Sequence, residues 1–136
     1  MNGTEYTEWI GKLMGRGLAL KLPKDTSGQL ALMGAASLAL EPGRRYTEKE
    51  VNDTLGAWLK QVSPRGGLDY VTLRRYLVEF RFLARESDGS AYWVDRDELA
   101  QEFESDVLDL DTATLIQAFK EAEAARRAQW LAQKKG

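Results

Sequence analysis

No cysteine and no histidine occur among the 136 residues of the chain. The first absence excludes a disulfide framework, a thiolate metal site and a cysteine nucleophile. The second removes the commonest metal ligand and the commonest general base together. Proline is scarce, at three residues, and no low-complexity linker divides the chain. Long apolar runs are missing as well. The longest, Leu30 to Leu40, carries Gly34 and Ser37 and is too short to cross a bilayer. Residues Met1 to Trp9 hold two acids and no basic run ahead of an apolar stretch, unlike a secretory leader. The expectation is a cytoplasmic protein with no membrane partner.

Catalytic patterns are equally thin. Gly15 and Gly17 are not followed by the Lys-Ser/Thr step of a phosphate loop, and no serine or threonine carries a nucleophile signature. Glu98, Glu102, Asp106, Asp109 and Asp111 supply carboxylates but not the spacing of a calcium loop, so they read as a solvated acidic face. We therefore expect no enzyme, no metal and no cofactor.

What is present is enough to fold. Hydrophobic residues make up 43% of the chain, with four tryptophans, which suits a packed core rather than disorder. The length fits one domain spanning residues 1–136. The net charge of −2 is unevenly spread. Between Lys60 and Arg85 six basic side chains meet two acids, whereas the sharpest acidic block runs from Asp95 to Asp111.

Helical periodicity marks residues 5–14, where Tyr6, Trp9, Ile10 and Leu13 share a face. An extended link from Leu18 to Pro23 follows. A second helix, about 28–40, is apolar nearly all round and belongs in the core. Thr47 and Glu50 form a capping box that opens a third helix over 47–61, with Val51, Leu55 and Trp58 as its buried stripe. Asp69 caps a fourth, over 69–80. Its apolar face is expected to hold Tyr70, Leu73, Tyr76, Leu77 and Phe80, with Val71, Thr72, Arg75, Val78 and Glu79 opposite and Arg74 at the boundary. Two strand-like runs, Leu83 to Arg85 and Ala91 to Trp93, flank Asp88-Gly89, a strong hairpin signal. The C-terminal part, about 97–133, is helical, with a long final helix whose uneven stripe includes Leu115, Phe119, Ala122 and Trp130.

Helix, turn, helix, hairpin is the order of a winged helix-turn-helix. In that arrangement the second helix of the pair enters the DNA major groove and its N-terminal half meets base edges. Thr72, Arg74 and Arg75 are the residues expected there, because arginine bonds guanine edges bidentately and threonine bonds a base or a phosphate. Arg44, Arg45 and Arg85 are the expected phosphate contacts. A solvated basic face explains the same pattern without DNA, and Glu79 on that face would repel phosphate.

Residues 44–52 (RRYTEKEVN), 69–79 (DYVTLRRYLVE), 83–85 (LAR) and 88–93 (DGSAYW) together resemble a bacterial domain family of unknown function. Its members occur alone or fused behind ArsR-type winged-helix repressors. The likeness covers about residues 15–95. It implies a winged-helix-like fold and a part in transcriptional regulation, and it supplies no ligand or active site. Two features depart from the family pattern: Asp25 to Gln29 is not basic, and the turn from Val62 to Leu68 is longer.

The fold expected is mainly α with a small β-hairpin: a winged helix at about 16–95 with added N- and C-terminal helices. The partner expected is double-stranded DNA, bound by a homodimer paired through the terminal helices. The competing expectation is a non-catalytic module that docks a protein partner.

Overall fold

The computed structural model describes residues 1–17 and 19–135; Leu18, which opens the expected link to Pro23, and Gly136 lie outside the described residues. These residues form α1 (Gly3–Met14), α2 (Thr26–Leu38), α3 (Glu48–Val62), α4 (Tyr70–Glu79), β1 (Leu83–Arg85), β2 (Tyr92–Val94), α5 (Arg96–Glu102), α6 (Ser105–Leu108) and α7 (Thr112–Lys135). The chain is thus mainly helical with one small antiparallel sheet, as expected.

Side-chain caps fix where the helices begin. Thr47 Oγ1 accepts the Glu50 amide at 3.2 Å while Glu50 Oε1 accepts the Thr47 amide at 2.9 Å, so the capping box is complete. Asp69 Oδ1 accepts the Thr72 amide at 2.8 Å and starts α4. The acidic block has the same kind of role. Asp95 caps α5 through the Glu98 amide, Asp111 caps α7 through the Thr114 amide, and Asp106 accepts the Gly3 amide at the start of α1. Carboxylates at helix N-termini satisfy orphan donors and oppose the positive end of the helix dipole.

In the hairpin Leu83 faces Val94, Ala84 faces Trp93 and Arg85 faces Tyr92. The second strand lies one residue later than the sequence suggested. Asp88 and Gly89 sit at the tip, where Gly89 takes φ +74° and Asp88 Oδ1 accepts the Ser90 amide. A third segment joins this sheet. Tyr46 and Tyr92 exchange backbone hydrogen bonds of 2.7 and 2.8 Å in an antiparallel bridge, which ties the segment leading into α3 to β2.

The core lies between α2, which is buried from Ala31 to Ser37, and the apolar faces of α3, α4 and the hairpin. Val51, Leu55, Leu73, Leu77, Phe82 and Tyr92 are all nearly inaccessible. The terminal helices share this core. Tyr6 of α1, Phe103 and Phe82 form a run of aromatic contacts with centroid separations of 5.9 and 5.8 Å. Gly34 makes room for Phe103, because any Cβ there would overlap its ring.

The link into α2 is stitched to the turn between α3 and α4. Leu20 donates its amide to Ser63 Oγ at 2.7 Å and accepts the Leu68 amide at 2.8 Å; Ser63 Oγ in turn donates to the Gly66 carbonyl. Gly67, at φ +114°, passes so close to the Leu20 carbonyl that a side chain would collide with it.

The end of α4 is a Schellman turn. The Phe82 amide bonds the Leu77 carbonyl and the Arg81 amide bonds the Val78 carbonyl, which leaves Arg81 in the left-handed position at φ +67°. Glycine is the usual occupant, since a side chain there costs roughly 1–2 kcal/mol. Arg81→Gly is therefore expected to raise stability by about 0.5–1 kcal/mol, after allowing for the extra freedom glycine gives the unfolded chain. Chemical denaturation measures this directly, and an unchanged or lower midpoint would contradict it.

Candidate functional site

A groove of about 300 Å³ runs between the outer face of α4 and the hairpin, lined by Val71, Arg74, Arg75, Val78, Glu79, Arg85 and Tyr92. Its geometry follows from the fold. Leu73 and Leu77 pin α4 to the core, which turns Val71 and Arg75 outward and leaves Val78 half-buried at the core's edge. The tie between Tyr46 and Tyr92 holds the hairpin beside them.

The structure brings three of the six expected residues together here, namely Arg74, Arg75 and Arg85. They are not equivalent. Arg75 is exposed and makes no ion pair among the described residues. Arg85 lies with its guanidinium 5.6 Å from the centre of the Tyr92 ring and donates to the Glu86 carbonyl at 3.3 Å. Arg74 reaches across to α3, where it donates to Asn52 Oδ1 and stands 3.5 Å from Glu48; its side chain is only 21% exposed.

Thr72, Arg44 and Arg45 fall outside the groove lining. Thr72 is half-buried, and its amide is taken up by Asp69. Arg44 pairs with Glu50 at 2.9 Å and lies over the Tyr46 ring. Arg45 pairs with Glu86 at 2.5 Å and lies over Trp93, which couples the start of α3 to the hairpin. Hydrogen bonds from the Thr47 backbone, then from Arg44, hold the Glu50 carboxyl below its ordinary pKa. The Thr72 amide does the same for Asp69, so a fixed negative charge stands at the start of α4.

Tyr70 departs from expectation. Helical spacing places it on the apolar face of α4, yet it is 40% exposed. It is the first residue of the helix and borders an open groove along α3 that Gly56 and Lys60 also line. The apolar stripe of α7 divides in two. Phe119 packs over Gly11 of α1, where a Cβ would come within 3.0 Å of the ring, and Ile116 is buried. Trp130, at 54%, and Leu131 stay exposed near the end of the helix.

The groove residues that the sequence does not mark as site residues are Val71, Val78, Glu79 and Tyr92, and outside the groove it does not mark the partners of Arg74. Val71 and Val78 were visible as outward positions of α4. Asn52, 22 residues before Arg74, carried no local signal.

A small helical domain with a hairpin beside an exposed helix defines the class of protein. Residues 20–94 match the model of a family described as uncharacterized protein conserved in bacteria (DUF2087), and the chain belongs to that family. No curated protein and no solved structure matches the chain.

Proposed function

We propose that the chain is a winged-helix DNA-binding protein with a regulatory role, placing α4 in the major groove and the β1–β2 hairpin against the flanking backbone. The observation that carries this reading is the convergence of Arg74, Arg75 and Arg85 on one groove between helix and hairpin. The element order supports it: α2, the bridging residue Tyr46, α3, α4, β1 and β2 follow one another as helix, strand, helix, helix, strand, strand. Arg75 is the base reader and Arg74 its neighbour, held in place by α3; Thr72 supports the same turn. Arg44, Arg45 and Arg85 serve the phosphates. Pairing of two copies through α7 would rest on Trp130 and Leu131, since α1 already covers Phe119.

One observation favours a protein partner instead. Arg44, Arg45 and Arg74 each face an acid of the same chain, and Glu79 lines the groove. A mixed-charge surface of this kind suits a protein that offers both signs. Salt dependence separates the two readings. With about three phosphate contacts, affinity for a mixed duplex should fall roughly 40-fold between 50 and 200 mM salt. An anisotropy titration measures it. No binding at the lower salt, or a flat response, would reject the DNA reading.

A further inference from the structure

Val71 is half exposed, at 50%, on the first turn of α4. Nothing in the fold accounts for valine there. A β-branched residue is a weaker helix former than alanine, and at a half-open position it gains little packing in return. The stripe that holds α4 to the core is Leu73 and Leu77, which lie away from Val71. Yet Val71 does lie in the groove beside Arg75, four residues on along the same face. Side chains at that spacing are neighbours about 5–6 Å apart. An apolar branched tip and a free guanidinium therefore stand side by side in one concave surface.

That pair matches one feature of the DNA major groove. There thymine alone of the four bases presents a methyl group, and guanine presents the O6 and N7 acceptors that suit arginine. Base pairs are stacked about 3.4 Å apart, so a 5–6 Å separation spans one or two steps. We infer that Val71 is a specificity-determining residue that packs on a thymine methyl one or two base pairs from the guanine bonded by Arg75. This rests on the placement of α4 in the major groove proposed above. Glu79 lines the same groove as the last residue of α4, while Val71 stands on its first turn and Arg75 on the next.

The test removes only the methyl. The parent protein is used to retain a duplex from a random pool. That duplex is then remade with deoxyuridine in place of thymine, one position at a time. One replacement should weaken parent binding about three- to fivefold, the size of one buried methyl group. The same replacement should leave Val71→Ala unaffected, and Val71→Ala should melt like the parent. If every replacement is neutral for the parent, or if Val71→Ala shows the same loss, the assignment of Val71 is wrong while the DNA reading stands. If no duplex is retained at all, the placement of α4 in DNA falls, and the assignment falls with it.

Discussion

Arg75→Ala is expected to weaken duplex binding about tenfold or more while leaving the melting temperature unchanged. The side chain is exposed on α4 and has no internal ion pair among the described residues, so its removal opens no cavity and orphans no partner. Substitutions of that kind shift stability by about half a kcal/mol or less. A lost bidentate base contact costs roughly 1–3 kcal/mol of binding and relaxes preference at one base position. Arg74→Ala makes a poorer test, because it also frees Asn52 and Glu48 on α3. Arg85→Ala supplies the contrast: on the hairpin it should weaken all sequences alike and reduce the salt slope by about one. Anisotropy on matched and mismatched duplexes reads both. Intact DNA affinity in Arg75→Ala, accompanied by loss of a protein complex, would transfer the groove to the protein-partner reading.

Gly67→Ala is expected to destabilise the fold by about 3 kcal/mol. Two causes add here. The backbone takes φ +114°, which side chains rarely tolerate and which costs of order 1–3 kcal/mol. In addition, a methyl group would collide with the Leu20 carbonyl and break the 2.8 Å bond that oxygen accepts from Leu68. Gly66→Ala separates the causes. Gly66 has φ +86° but open space around it, so only the conformational cost of roughly 1–2 kcal/mol applies. Urea denaturation of the two variants gives the difference, and equal midpoints would mean that the contact with Leu20 contributes nothing.

Local chemistry explains why much of this fold could be read from the chain. Thr47, Glu50 and Asp69 act through amides three residues away, so the starts of α3 and α4 were legible. Asp88-Gly89 marked the hairpin tip for the same reason. The four-residue α6 escaped notice because so short a helix has no periodicity to show. Tyr70 departs from the helical wheel because a wheel assumes cover along the whole helix, and this first residue of α4 borders open grooves along α3. At the candidate site, the outward positions of Arg75 and Val71 followed from helical spacing alone. The pairings of Arg45 with Glu86 and of Arg74 with Asn52 did not, since they join residues 41 and 22 positions apart through the tertiary fold. Sequence could name those arginines but not show that their charge is already partly answered.

The internal pairing of Arg44, Arg45 and Arg74 bears on how such a protein would search a genome. A bare cluster of arginines attracts any stretch of phosphate, and a genome presents about 10⁶–10⁹ competing sites. At Arg44, Arg45 or Arg74 a phosphate would have to displace Glu50, Glu86 or Glu48 before it gained the cation. A random duplex offers no base contacts to offset that exchange, whereas a matching site does. In a DNA-binding protein, acid-tethered arginines of this kind would lower the background more than the target, and selectivity would come from holding the wrong sites off as well as from binding the right one.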